Sequence, residues 1–391
     1  MRRLLQHRVR CIEALAFAIL SAITLAAPTQ SLAAQTPQLI PRSHEEREQK
    51  FRAEHHAILN VKVTGASGEP LLGLKQSDFT LLDNGRPRTI ASLRFIKHGT
   101  RLAHPHVLLA LDAMNRSARE LSQDIKGVRA FLGLGSEPLA TQTSIALLTG
   151  SGLTVGDASQ DRAILLQQLD DMAHEAKPAR CEDLVGAPII PSDIWKNLST
   201  IQNRSSQGPA CLNQKFTGSV TSLENLARKE EDTYGRVVVI WIGPGWPQLV
   251  GKPFLPDTPQ IKDNFFEHLV ILTTAMRVGQ VTLDSVSALP GKFAAREPDN
   301  PFFDGVPDAS NMSSQGLSLA SLVHQSGGQI QDDGQGIPVA IDNCMKDAEN
   351  FYVLSFDFPA SANPHEFHSL QIKVNRPEAI VRTNTVYYAE P

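Results

Sequence analysis

Val107-Leu108-Leu109-Ala110-Leu111 is an unbroken apolar run that ends in Asp112. With no polar residue between the apolar ones, it reads as a strand buried on both faces, the kind found in parallel sheets. Leu121, Ile125, Val128 and Leu132 follow at helical spacing. The succession then repeats. Ser144–Leu148 is a short strand, Leu165, Leu169 and Met172 make a helical stripe, and Val220, Leu223 and Ala227 make another. Val237-Val238-Val239-Ile240-Trp241 is the most β-prone run in the chain. Ile261, Phe265, Leu269, Leu272 and Met276 mark a long amphipathic helix, and Val281–Val286 is the next strand. Leu319, Leu322 and Val323 are helical up to Gly327-Gly328, Gln329–Gln331 is a brief strand, and Pro338–Ala348 is a last helix. Strands alternating with helices predict an α/β, doubly wound sheet with right-handed crossovers over residues 103–348.

On either side the pattern is β. Leu59, Val61 and Val63 share one face, Asp83-Asn84-Gly85 is a hairpin turn, and Thr89–Phe95 alternates, which makes 51–99 an N-terminal β-segment. Phe351–Phe356, Ser369–Val374 and Ile380–Tyr388 make 349–391 a C-terminal one. Residues 35–50 are polar and read as a linker. Stretches near 174–216 and 289–315 are rich in Pro, Gly, Asn and Ser and are expected to be surface inserts.

The first 34 residues read as an export signal. Arg2, Arg3, Arg8 and Arg10 precede an apolar run, Ala14–Ala27, then Pro28 and small residues suited to a peptidase. The run falls short of the roughly 20 apolar residues a spanning helix needs, so no membrane insertion is expected after cleavage. Removing four Arg and Glu13 takes the net charge from −4 to −7. That balance gives no electrostatic reason to bind nucleic acid or an anionic membrane. With 41% hydrophobic and 20% charged residues the chain is also excluded from the disordered and fibrous classes. A periplasmic or secreted location favours disulfides. Cys181 and Cys211 bracket a loop-like stretch and are expected to pair, contributing about 3 kcal/mol. Cys344, in a helical pattern, is expected to be a buried free thiol.

The order of elements resembles the von Willebrand factor A domain, and more closely the VWFA-related family of exported bacterial proteins, common in acidobacteria. The matching residues are Val61-Lys62-Val63, Gly73-Leu74, Asp78-Phe79 and Asp83-Asn84-Gly85 at the start, and Leu108–Asp112 in the first sheet strand. Trp241-Ile242-Gly243-Pro244-Gly245, Ser326-Gly327-Gly328, Phe351–Leu354, Lys373-Val374, Arg376-Pro377 and Tyr387-Tyr388 continue the match. The resemblance implies a Rossmann-like A-type domain beside a small β-domain built from the two terminal β-segments. It also implies a divalent-cation site at the strand ends, with a first loop Asp-x-Ser-x-Ser, a Thr from a second loop and an Asp from a third. Here Asp112 is present, but Met114 and Arg116 replace the two Ser, and Gly243-Pro244 stands where the third-loop Asp belongs. Methionine offers no hard oxygen and a guanidinium repels a cation. The site is therefore read as degenerate, with no cofactor. Asp112 would cap the following helix or pair with Arg116. A one-residue slip to Asp112, Asn115 and Ser117 is the alternative ligand set for Mg²⁺.

Other motifs fail on spacing. His365-Glu366-Phe367-His368 has its histidines at i and i+3, where a zinc-protease helix needs i and i+4. No nucleophile elbow, P-loop or dinucleotide fingerprint is present in the sequence. The expectation is a non-enzymatic protein–protein interaction module whose partner is another protein. Its binding face would carry Asp112, Asn115, Arg116, Ser117, Ser219, Thr221 and Trp246. A cation-dependent adhesion module and a structural cell-envelope component are the alternatives.

Overall fold

In the computed structural model the described residues are 56–97, 105–180, 209–230, 235–246, 258–287, 301–313, 315–331, 334–359 and 361–391. The expected signal, the linker, Cys181 and much of the two inserts lie outside them.

The strands that precede the central sheet are β1 (His56–Thr64), β2 (Phe79–Asp83), β3 (Arg86–Arg88) and β4 (Ser92–Ile96). The sheet itself contains β5 (His106–Asp112), β6 (Gln142–Thr149), β7 (Gly152–Val155), β8 (Val237–Ile242), β9 (Val281–Val286) and β10 (Ile330–Gln331). Their order is β10-β9-β8-β5-β6-β7, parallel throughout except for the antiparallel β7 edge. This is a mixed α/β architecture. Counted from β5, the order is the 3-2-1-4-5-6 of doubly wound sheets. Each central strand is buried along its length, β8 at every residue. Alternate side chains enter two separate cores.

Helices α1 (Ala118–Leu132), α2 (Arg162–Glu175), α3 (Pro209–Glu230), α4 (Pro259–Val278), α5 (Leu319–Gln325) and α6 (Ile337–Ala348) cover both faces. Val107, Leu109, Val238 and Ile240 pack with α1, α2 and α6, whereas Leu108, Ala110, Val239 and Trp241 pack with α3, α4 and α5.

Three differences from the sequence expectations have local causes. The β7 strand pairs back on β6 across Thr149–Gly152, a Gly-rich turn that the helix-period reading passed over. Residues 209–216, expected in an insert, form the first turns of α3, where Phe216 is fully buried. In the second insert, Val306 and Met312 join the core on the α3–α4–α5 face instead of remaining on the surface.

Strands on either side of the central region pair with one another. Strands β11 (Phe351–Asp357), β12 (Glu366–Val374), β13 (Ile380–Arg382) and β14 (Val386–Ala389) combine with β1–β4 into two four-stranded sheets, β13-β1-β11-β4 and β14-β12-β2-β3. Between them lies a third core containing Leu59, Val61, Leu81, Tyr352, Phe356 and Tyr387. These sheets and the central one fall in a single compact unit, Glu48–Pro391. The turn Asn84-Gly85 has φ of 49° and 74°, the positive pair required by a two-residue hairpin. His368, from the rejected zinc motif, is buried and its Nδ1 lies 2.6 Å from Asp83 Oδ1. Asp83 also accepts from Arg88 and Tyr387, which ties β12, β14, β2 and β3 together.

Buried charge joins the terminal strands to α6. Lys62 on β1 donates to the Asp347 and Glu349 carbonyls at the end of α6, satisfying two acceptors the helix leaves over. Arg382 on β13 pairs with the Asp347 carboxylate. Nearby, Asp284 on β9 is fully enclosed and accepts from Gln329 N–H at 2.9 Å. Burial, reinforced by the negative Asp347, pushes its carboxyl up to about 7. The folded chain holds this proton to higher pH than the unfolded chain, so stability falls as pH rises from about 4 to about 7. Asp284→Asn keeps an oxygen for Gln329 and is expected to lose that dependence, gaining up to about 4 kcal/mol over the wild type between those limits. Urea titrations at pH 5 and pH 8 check it; identical pH dependence in both proteins would rule Asp284 out as the source.

Candidate functional site

The strand order reverses between β5 and β8, because the chain winds outward from β5 through β6 and from β8 through β9 in opposite directions. The crevice at their carboxyl ends is where ligands of open α/β sheets bind. Asp112 ends β5 there, and Gly243 follows β8.

The two positions are in direct competition for space. A Cβ on Gly243 would lie 2.5 Å from Asp112 Cβ, so only glycine lets the Asp112 side chain sit where it does. Asp112 is 1% exposed. Its Oδ1 accepts from the Asn115 backbone N–H and from Asn115 Nδ2, both at 3.0 Å. Its Oδ2 accepts from Asn115 Nδ2 at 3.0 Å and Trp241 Nε1 at 3.2 Å. Burial raises the carboxyl to about 6, and the Asn115 and Trp241 donors hold it from going further. Asn115 Nδ2 also donates to Ser219 Oγ at 3.0 Å. One amide nitrogen thus lies among three oxygens. Asn115 Oδ1 is buried without a partner.

The other sequence-derived residues divide sharply. Asp112 is not the cap of α1: Ser117 is, in a reciprocal box with Glu120, and its Oγ donates to Glu120 Oε2 at 2.7 Å. Nor does Arg116 pair with Asp112. Its guanidinium binds Asp124 through Nε at 2.7 Å and Nη2 at 3.3 Å, with both residues buried. Ser219 is fully buried, and its Oγ bonds to Lys215 O and approaches Met114 Sδ at 3.5 Å. Thr221 lies partly buried on α3. Trp246 is 5% exposed, packs edge-on against Trp241 at 5.6 Å, and donates to Leu317 O at 2.7 Å. Of the seven expected face residues, Asn115, Ser117 and Thr221 retain exposure, and the structure brings Asp112, Asn115 and Ser219 into one cluster.

The sequence reading missed Asp124, Lys215 and the Trp241 ring nitrogen. Asp124 stands eight residues after Arg116, and that interval spans two turns of helix, so its signal was present. Lys215 is one turn before Ser219 on α3 and 6% exposed, with its amine pKa lowered by burial and partly restored by Asp112. Nothing in the local sequence announces either Lys215 or the Trp241 bond.

A divalent cation does not fit these residues. Mg²⁺ needs about six oxygens at 2.0–2.1 Å. Here the Asn115 amide nitrogen lies against the candidate oxygens, Met114 presents sulfur, and Ser117 is turned into its capping box. A third-loop aspartate at Gly243 would require the Asp112 side chain to move, because its Cβ would lie 2.5 Å from Asp112 Cβ. Among the described residues no three His, Cys, Asp or Glu side chains come together as a metal group. Cys344 is buried and free, its thiol pushed well up by burial, and Cys211 is buried on α3 with its expected partner Cys181 outside the described residues.

No protein-family model matches the chain, and no curated protein does. Among solved structures it is similar to the human COPII-coat protein Sec24c, at 8% identity and TM-score 0.33, over 74% of this chain and 44% of that one. It is also similar to the manganese-loaded Plasmodium vivax TRAP protein, at 10% identity and TM-score 0.32, over 78% of this chain and 97% of that one. The chain thus spans under half the length of Sec24c. Likenesses this distant decide neither family nor function.

The Arg116–Asp124 pair gives a direct test of the loop's construction. Arg116→Ala leaves a buried carboxylate unpaired and is expected to cost about 3–5 kcal/mol. Replacing both partners, Arg116→Met with Asp124→Leu, is expected to recover most of that loss. Urea denaturation of the three proteins measures it. A single variant as stable as wild type would place Arg116 outside the fold's support.

Proposed function

We propose that the protein is an exported, non-enzymatic protein–protein interaction module of the von Willebrand factor A-like type, working without a bound metal. The observation that carries this reading is the position of Asn115 Nδ2, 3.0 Å from both Asp112 oxygens and from Ser219 Oγ. An N–H donor fills the place among those oxygens that a cation would need. The crevice is then a hydrogen-bonded surface at the strand ends. Its partner-facing residues are Asn115, Ser117 and Thr221, while buried Asp112, Arg116, Ser219 and Trp246 hold that rim in shape. The doubly wound strand order supports the comparison with A-type domains, and the basic, apolar and small-residue order of 1–34 supports export.

Calorimetric titration of the full chain with Mn²⁺ is expected to give no saturable heat. Saturable heat that vanishes in Asp112→Ala would establish cation-dependent adhesion instead. A photo-crosslinking residue at Thr221, or at Arg119, exposed on the first turn of α1 two residues after Ser117, is expected to capture the partner in the cell envelope, and one at exposed Lys346 is not. Equal capture from all three positions would move the binding face elsewhere.

Export also makes a covalent prediction. If Cys181 and Cys211 pair after removal of 1–34, alkylation of the unfolded, unreduced protein labels one thiol, Cys344. Labelling of three thiols would exclude the disulfide.

A further inference from the structure

Strand β12 is paired with β14 only from Glu366 to Ser369, and with β2 from Leu370 to Val374. On the side away from β2, no strand of the described residues pairs with Leu370–Val374. The direction of the bonds shows what that edge offers. Leu370 N–H donates away from β2, to Thr385 O at 2.7 Å, whereas Asn375 N–H donates toward β2, to Asp78 O at 2.8 Å. With a repeat of two residues, Ile372 and Val374 point their backbone groups the same way as Leu370; the Val374 carbonyl accepts from Arg376 N–H at 2.7 Å, so the edge on offer is centred on Ile372 and bounded by the Leu370 carbonyl and the Val374 N–H. The opposing wall includes β13, the outermost strand of the other four-stranded sheet, which pairs only with β1. Two unpaired sheet edges therefore border one cavity of about 660 Å³.

The lining is basic. Lys373, Arg376 and Arg382 contribute cationic groups and, among the described residues, no Asp or Glu lines the cavity, in a chain whose net charge is −4. Lys373 and Arg376 are exposed; Arg376 stands 3.9 Å from Asp78, and Arg382 pairs with Asp347. Three polar atoms of lining residues are buried with no partner: Arg382 Nη1, Thr383 Oγ1 and Thr385 Oγ1. Open edges are normally blocked in monomeric proteins, because they template pairing with another chain.

We propose that this cleft binds an extended acidic segment of a partner protein, which adds as a strand along Leu370–Val374 and directs its carboxylates at Lys373 and Arg376. Strand addition draws affinity from main-chain bonds and specificity from side chains at alternate positions. A five-residue edge spans about 16 Å at roughly 3.3 Å per residue. The cleft shares no residue with the strand-end crevice, so the inference stands apart from the proposed function above.

The test screens the full chain against a bead-displayed library of octapeptides with Glu fixed at alternate positions and random residues between. Affinities of the binders are then measured by fluorescence anisotropy. Expected are saturable binders that weaken at least tenfold in Lys373→Glu/Arg376→Glu and lose binding when alternate peptide amides are N-methylated. Both substitutions are at exposed positions, and Lys373→Gln alone serves if the double variant does not fold. No saturable binder, or binders indifferent to charge reversal, would overturn the proposal. Equal binding of the N-methylated peptide, or displacement by inorganic phosphate alone at the same concentration as peptide, would make the cleft a small-anion site and overturn strand addition.

Discussion

A carboxylate withdrawn from water must be given donors, and the end of β5 is arranged around that need. Asp112 can be enclosed because Gly243 has no Cβ to collide with it. Once enclosed, it takes the Asn115 backbone N–H and both side-chain donors within reach, Asn115 Nδ2 and Trp241 Nε1. Each donor then constrains something further out. Asn115 is drawn onto Ser219 and so links the first loop to α3. Trp241 is fixed in orientation, which sets the face against which Trp246 packs, and Trp246 in turn reaches Leu317 before α5. A single buried charge therefore organises contacts among β5, β8, α3 and the approach to α5.

Much of this architecture was legible in the sequence because burial on two faces leaves a plain mark. The runs at Val107–Leu111 and Val237–Trp241 have no polar interruption, and both are central strands. Asn84-Gly85 was equally plain, since few residue pairs accept two successive positive φ angles. The β7 strand was not, because an edge strand of four residues has too little burial to impose a pattern. The first turns of α3 were hidden by composition. Pro209 and Gly218 belong to a helix whose buried Phe216 and Val220 are spaced correctly, but the polar residues around them read as loop.

At the site, the identity of the key residues was readable and their partners were not. That Met114, Arg116 and Gly243 stand at the strand ends followed from the sequence alone. Which acceptor Arg116 would choose did not. Asp112 is nearer in sequence, but Asp124 presents both oxygens to a planar guanidinium, and a bidentate bond in a buried setting outweighs proximity along the chain. Ser117 likewise had two plausible duties. The first turn of α1 exposes N–H groups that must be satisfied, and Ser117 with Glu120 meets that local demand. Local hydrogen-bond requirements of the helix settled the roles of neighbours that a linear motif treats as equivalent.

The same competition explains why a cleft lies between β12 and β13. These strands are neighbours in the chain and both are extended, so direct pairing would be the simplest outcome. Each is instead pulled elsewhere by buried polar contacts. His368 on β12 bonds to Asp83, holding β12 against β2, and Tyr387 on β14 reaches the same carboxylate. Arg382 on β13 is drawn to Asp347, beside Lys62 on β1, so β13 follows β1 toward the end of α6. Two acidic residues in different elements, Asp83 and Asp347, each claim one strand, and the edge left unpaired between them follows from where those charges are held.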